Sequence, residues 1–75
     1  MKTGTRIAVV RRARGITQEE LAQMCITCQS AISMIESGYR ESVKGQLADI
    51  RTALRWGPEI DAALDKLEEA INEAR

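Results

Sequence analysis

Cys25 and Cys28, in the run Cys-Ile-Thr-Cys, carry the most reactive side chains of this sequence. At that spacing they could act as a thiol switch, or supply half of a four-ligand zinc site shared between two subunits. The interpretation we favour is structural: Cys25 is a small buried hydrophobe, and Cys28 substitutes for a helix cap. We therefore predict no metal site and no cofactor.

Other chemistry is limited by composition. The chain has no histidine, which removes imidazole acid–base chemistry and most zinc and haem ligation. A glycine-rich phosphate loop is also missing, so we do not expect an enzyme or a small-molecule ligand. One Trp, one Tyr and no Phe argue against stacking on single-stranded nucleic acid. No apolar run approaches the roughly 20 residues that span a membrane, and the N-terminal residues do not resemble a signal peptide, so we expect a cytoplasmic protein without a membrane partner.

Charge is unevenly distributed along the 75 residues, although the net charge is zero. Residues 1–55 carry nine basic and five acidic side chains, a net charge of +4. Residues 56–75 carry two basic and six acidic side chains, a net charge of −4. This asymmetry indicates a basic partner-binding region with an acidic appendage, or simply solvated helix faces.

Helical signals dominate the chain, because strand patterns are poor and only one proline interrupts it. Gly15 is a natural stop for the first helix, and Thr17 with Glu20 forms a capping box at the start of the second. Ser42 is a plausible N-cap of the fourth helix, and Pro58 fits the first turn of the fifth. The predicted fold is all-α, with five helices at about residues 5–14, 18–25, 28–38, 43–56 and 58–75.

The second and third helices match a known pattern. The run Ile16-Thr17-Gln18-Glu19-Glu20-Leu21-Ala22 is followed, without an insertion, by Ile32-Ser33 and then Glu36-Ser37-Gly38. From residue 7 to residue 54 the chain resembles the lambda-repressor-like (Cro-type, also called XRE-type) helix-turn-helix domains. The resemblance implies that Leu21, Ala22 and Ile32 pack between the helices and that Arg11 forms a structural ion pair with Glu36.

The resemblance also implies where DNA is bound. In that family the third helix lies in the major groove of double-stranded DNA, so Gln29 takes the principal base-reading position. A glutamine amide can donate to adenine N7 and accept from adenine N6, and a methionine can contact a thymine methyl group. Gln18 is placed to bind a phosphate or to brace Gln29. The full set of predicted DNA-binding residues is Thr17, Gln18, Thr27, Cys28, Gln29, Ser30, Ser33, Met34, Tyr39, Arg40 and Lys44.

Several positions depart from the family pattern. The turn position that is usually glycine is Ile26, which disfavours a left-handed backbone by about 1 kcal/mol or more. The usual apolar plug is Thr27, and the usual serine cap is Cys28. Either the turn is shifted or Ile26 takes the plug position. No Arg or Lys lies between Cys28 and Ser37, so an arginine that reads guanine is not expected there.

The fifth helix carries an apolar stripe that repeats at steps of three and four, typical of a coiled coil or a helical bundle. Such a stripe must either fold back on the chain's own core or pack on a second subunit, and we prefer a symmetric homodimer. We assign residues 1–56 to the helix-turn-helix domain and residues 57–75 to an amphipathic dimerisation helix. The predicted dimerisation residues are Trp56, Ile60, Leu64, Leu67 and Ile71.

These features predict a small dimeric transcriptional repressor that binds a pseudo-palindromic operator. The alternative is a protein-interaction module, of anti-activator or antitoxin-like kind, that keeps the helix-turn-helix fold but does not bind DNA. The lack of Arg and Lys in the third helix, the unusual turn and the zero net charge favour that alternative. A salt-dependent affinity for duplex DNA would distinguish the two.

Overall fold

Five helices make up the computed structural model, which describes residues 1–41 and 44–74, without the side chain of Lys44. No strand occurs in these residues, so the predicted all-α class is confirmed. The Ser42 cap lies outside the described residues. No described helix combines the length and the apolar character that crossing a membrane requires. The helices are α1 (Thr3–Ala13), α2 (Gln18–Met24), α3 (Gln29–Ser37), α4 (Lys44–Ala53) and α5 (Pro58–Glu73).

Four helices end with one left-handed residue, and in α1, α2 and α4 the next residue donates a hydrogen bond to the carbonyl group five residues earlier. In α1 this residue is Gly15, with φ of 70°, and Ile16 N–H then donates to Arg11 O at 3.1 Å. The end of α4 uses Arg55, with φ of 52°, and the end of α2 uses Ile26. This hydrogen-bond pattern satisfies carbonyl groups that the helix leaves open. It also explains why α4 stops at Ala53 rather than continuing to the predicted boundary near Trp56.

The core is built from side chains of the five described helices and of the segment after α4. The residues that are fully buried are Ile7, Leu21, Ile32, Ile50 and Leu54. Leu21 and Ile32 are among the residues that the sequence predicted to pack between the helices. Val10, Ala22 and Ile35 are also buried, whereas Cys25 is only half-buried. Apolar burial of this kind is the main source of stability in a small domain.

Gly4 permits a close approach between α1 and the C-terminal turn of α3. A Cβ atom at this position would overlap the carbonyl oxygen of Ile35 and lie 2.9 Å from the carbonyl oxygen of Glu36. Glycine inside a helix normally lowers stability, so the sequence pattern alone gave no reason to expect it here. The contact fixes α1 against α3.

The N-terminal half of α5 folds back on the chain. Leu64 and Trp56 are only 5% and 6% exposed, and Ile60 is half-buried against the same core. The prediction that Trp56, Ile60 and Leu64 form a dimer interface therefore needs correction, because these side chains are already covered by their own chain. Leu67 and Ile71 remain 44% and 50% exposed. Packing inside the chain accounts for the first half of the stripe only.

Ion pairs hold the acidic α5 against the basic part of the chain. Arg6 Nη2 lies 2.6 Å from Asp65 Oδ1 and 3.0 Å from Glu68 Oε2. Arg51 Nη2 lies 2.6 Å from Asp61 Oδ2, and its guanidinium group stacks 4.8 Å from the centre of the Trp56 ring. The charge asymmetry of the sequence is thus partly neutralised within one molecule.

Candidate nucleic-acid interface

The start of α2 is fixed by the predicted capping box. Glu20 N–H donates to Thr17 Oγ1 at 3.1 Å, and Thr17 N–H donates to Glu20 Oε1 at 3.0 Å. These hydrogen bonds from Thr17 lower the pKa of the Glu20 carboxyl group. Two N–H groups that a helix start would leave open are satisfied in this way. The Thr17 hydroxyl oxygen therefore already accepts one hydrogen bond, and its proton remains available to an external acceptor.

A buried ion pair joins the first three helices. Arg11 Nε and Nη2 donate to the two carboxylate oxygens of Glu36 at 2.6 and 3.0 Å, and Arg11 Nη1 donates to Ile16 O at 2.8 Å. Gln18 Nε2 donates to the same carboxylate at 3.1 Å. A bidentate pair of this kind restricts the angle between helices. The predicted brace from Gln18 to Gln29 is not formed, because the Gln18 amide binds Glu36 instead.

Ile26 forms the turn between α2 and α3 in a left-handed conformation, with φ of 53°. Ile26 N–H donates to Gln23 O at 3.3 Å, and Thr27 N–H donates to Ala22 O at 2.9 Å, as in the turns that end α1 and α4. The turn is therefore not shifted. Ile26 does not act as a plug either, since 96% of it is exposed, while Thr27 is half-buried. Both alternatives drawn from the sequence are wrong at this position.

Cys28 precedes α3 as its N-cap residue, but its side chain makes no capping hydrogen bond, so the predicted cap substitute does not form. Its Sγ atom lies 3.3 Å from Ser30 Oγ, and a hydrogen bond from Ser30 lowers the pKa of the Cys28 thiol. Burial and, to a lesser degree, Asp49 raise the pKa of the Cys25 thiol. Both thiols are free, and no metal-binding group of three or more residues exists among residues 1–41 and 44–74.

The two faces of α3 differ sharply in burial. Ala31, Ile32 and Ile35 are buried against α1 and α2. The opposite face is exposed, and within the described part of the chain no side-chain hydrogen bond engages Gln29 or Ser33. The predicted base-reading residues on this face are Gln29, Ser30, Ser33 and Met34, all of them exposed. The structure therefore brings these four together on one accessible helix surface.

The loop after α3 carries the other predicted DNA contacts. Gly38 ends the helix with φ of 80°, and Arg40 N–H donates to Met34 O at 3.2 Å. The side chains of Tyr39 and Arg40 are exposed. Lys44 begins α4, but its side chain lies outside the described residues. The loop thus extends the exposed polar surface beyond the C-terminal end of α3.

Residues 7–42 match a family model described as helix-turn-helix, and this segment contains the capping box, the Arg11–Glu36 pair and the whole of α3. This match supports the resemblance of residues 7–42 to the lambda-repressor-like helix-turn-helix family. This helix-turn-helix family consists of DNA-binding transcription regulators and is not typically enzymatic. Searches of curated proteins and of solved structures found no match.

Sequence reasoning missed two features of this helix-turn-helix surface. The first is the full exposure of Ile26, for which the only signal was a β-branched residue where the family pattern has glycine. The second is the role of Gln18 as a hydrogen-bond donor to Glu36. No local spacing signals that contact, because 18 residues separate the two positions.

Proposed function

We propose that this protein is a homodimeric transcriptional repressor that reads a pseudo-palindromic operator with α3. The observation that carries the proposal is the exposed polar face of α3 on a helix whose opposite face is buried. The bidentate Arg11–Glu36 pair restrains that helix with respect to α1. A restrained helix with exposed amide and hydroxyl groups suits the major groove, which admits one α-helix.

Base reading is assigned to the exposed side chains of α3. The Gln29 amide is suited to a bidentate contact with adenine N6 and N7. Ser30 and Ser33 are short enough to contact base edges or phosphates, and Met34 is suited to a thymine methyl group. Because α3 has no Arg or Lys, its contacts supply selectivity rather than charge neutralisation.

Phosphate contacts are assigned to the residues that surround α3. Backbone N–H groups at a helix start attract anions, and side-chain hydroxyl, amide and cationic groups position a protein on the duplex. On α2 and the turn the remaining proton of the Thr17 hydroxyl and the second N–H of the Gln18 amide are available. The proposed phosphate-contacting residues are Thr17, Gln18, Thr27, Cys28, Tyr39, Arg40 and Lys44.

A dimer is supported by the uncovered part of α5. Leu67 and Ile71 continue the apolar stripe beyond the half that folds back, and both are about half exposed. Two subunits related by a two-fold axis would place their α3 helices in successive major grooves, about 34 Å apart. A dimer bound in this way acts most simply by occluding a promoter.

Selection of bound duplexes from a random pool tests DNA binding, symmetry and half-site spacing together. The selected duplex is then used in fluorescence anisotropy over a series of salt concentrations. We expect a negative log–log slope, of about −4 if Arg40 and Lys44 each neutralise one phosphate in both subunits. Gln29→Ala should lose discrimination between operator variants, whereas the matched control Gln23→Ala, an exposed glutamine of α2, should retain it.

The alternative of a protein-interaction module makes the opposite prediction. The absence of cationic side chains from α3 is the observation that favours it. In that case no duplex is enriched, binding to DNA is absent or insensitive to salt, and a stable complex with another protein is recovered instead. A salt-dependent, selected operator excludes this alternative.

A further inference from the structure

Ile26 has an environment that the proposed DNA contacts leave unexplained. It is the most exposed of the large hydrophobic side chains that the structure describes, at 96%, and its φ of 53° is one that β-branched residues rarely adopt. Backbone strain of this kind persists where the surrounding structure imposes it, and it is concentrated at functional sites. The hydrogen bonds of the turn impose this φ at Ile26, but they leave its apolar side chain almost fully exposed.

Arg55 shows how the chain compensates for the same conformation elsewhere. Its φ is 52°, but the next residue, Trp56, is buried, and the carbonyl oxygen of Arg55 accepts a hydrogen bond from Arg14 Nη2 at 3.1 Å. At the other turn, Thr27 is only half-buried after Ile26. The isoleucine side chain itself packs against almost nothing in its own chain. Its contact partner is therefore to be sought outside the chain.

The position of Ile26 places it at the edge of the proposed DNA site. Only Thr27 and Cys28 separate Ile26 from Gln29. Three Cα–Cα steps of about 3.8 Å each therefore limit the distance between the Cα atoms of Ile26 and Gln29 to about 11 Å. At a rise of about 3.4 Å per nucleotide, this corresponds to about three base pairs. If the N-terminal end of α3 enters the major groove, the turn before it lies at the mouth of that groove.

The surroundings of Ile26 suit an apolar group rather than a phosphate. Ile26 borders a shallow depression that includes Met24, Thr52, Ala53 and the carboxylate-bearing Asp49, and no basic residue lines it. A carboxylate without a cation repels phosphate. In the major groove the complementary apolar group is the 5-methyl group of a pyrimidine.

We propose that Ile26 is a specificity-determining residue that contacts the 5-methyl group of a pyrimidine within about three base pairs of the base read by Gln29. This inference rests on the proposed function, because it needs α3 to be in the major groove. It adds a base contact from the turn, outside the helix that otherwise reads the sequence.

The test uses the selected operator with each thymine replaced in turn by deoxyuridine, which lacks only the methyl group. For the wild-type protein we expect about fourfold weaker binding at one thymine per half-site besides any thymine that Met34 contacts, the effect of one buried methyl-sized group. Ile26→Gly should bind the thymine and deoxyuridine duplexes equally at that position. Ile26→Val, which keeps a branched apolar side chain, and Gln23→Ala, a change at an exposed residue of α2, should both retain the discrimination.

Cytosine and 5-methylcytosine at the same position separate the two natural sources of the methyl group. If 5-methylcytosine at that position binds more tightly than cytosine, the contact is with the methyl group of either base. If only thymine restores the affinity, the contact is with thymine. If the wild type binds its operator but Ile26→Gly retains the full deoxyuridine penalty, this inference is overturned while the proposed function stands. If the wild type binds no duplex, the proposed function fails and this inference fails with it.

Discussion

Replacement of Ile26 by glycine should stabilise the protein, which is unusual for a substitution that deletes a large apolar side chain. The left-handed conformation costs a residue with a Cβ atom about 1–2 kcal/mol, and glycine adopts it freely. Because Ile26 is 96% exposed, almost no buried apolar area is lost. Glycine also increases the entropy of the unfolded chain, which opposes the gain by about 0.5–1 kcal/mol.

The expected net change is an increase of about 0.5–1 kcal/mol in the free energy of unfolding. For a domain of this size, 1 kcal/mol shifts the melting temperature by about 4–8 °C. Urea titration followed by the fluorescence of Trp56, the only tryptophan and a buried one, measures the free energy directly. Protein concentration is held fixed in every titration, because dimerisation makes apparent stability concentration-dependent.

Three further variants test the physical reason. Ile26→Val keeps the β-branch and should give no gain, while Arg55→Gly relieves the same backbone conformation at the end of α4 and should give a smaller one. Ile26→Asn should recover part of the gain, since asparagine tolerates positive φ. If Ile26→Gly is no more stable than the wild type while Arg55→Gly is, the strain assigned to Ile26 is refuted.

Three other substitutions have defined outcomes. Gly4→Ala should lower the free energy of unfolding by about 1–3 kcal/mol, because its Cβ atom meets backbone of α3 that must move; urea titration checks this. Hydrogen bonds from Trp56 and, next in size, from Arg51 lower the pKa of the Asp61 carboxyl group in the folded protein. The ionised Asp61 therefore stabilises the fold at pH values above its unfolded pKa of about 4, and this stabilisation is lost as pH falls through the lower folded pKa. Asp61→Asn should therefore lose less stability than the wild type when melts are compared between about pH 5 and pH 2. Arg40→Ala should weaken DNA binding evenly across sequences and reduce the salt slope of a dimer by about 2, whereas Lys66→Ala on α5 should leave that slope unchanged in anisotropy titrations.

Local patterns predicted the parts of this fold that local physics determines. The capping box at Thr17 and the left-handed stop at Gly15 each depend on groups within a few residues. The family resemblance placed Leu21 and Ile32 between the helices, and helical spacing agrees, because one face of each helix must be buried. The register of the exposed α3 face followed from the same spacing, since the residues between buried positions must face outward.

The features that could not be predicted depend on groups far apart in the sequence. The requirement for glycine at position 4 comes from backbone atoms of α3. The hydrogen bond from Gln18 to Glu36 depends on the angle between two helices, which no single-helix pattern encodes. At Ile26 the cost of positive φ was foreseen, but the chain accepts it, because the turn hydrogen bonds to Gln23 and Ala22 leave no other conformation at that residue.

The apolar stripe of α5 shows why periodicity identifies a face but not what covers it. Steps of three and four residues are equally compatible with a partner helix and with the chain's own core. The choice is made by groups outside the stripe: Arg6 pairs with Asp65 and Glu68, and Arg51 pairs with Asp61, so α5 is drawn onto α1 and α4.

That docking limits any dimer built on α5. Only Leu67 and Ile71 of the predicted interface remain substantially exposed, so the apolar area left for a second subunit is small. A small interface binds weakly on its own, whereas two subunits held on adjacent half-sites have a high effective concentration. We therefore expect dimerisation of this protein to be coupled to operator binding. On that reasoning, polar substitutions at Leu67 and Ile71 should reduce affinity for the full operator much more than affinity for a single half-site.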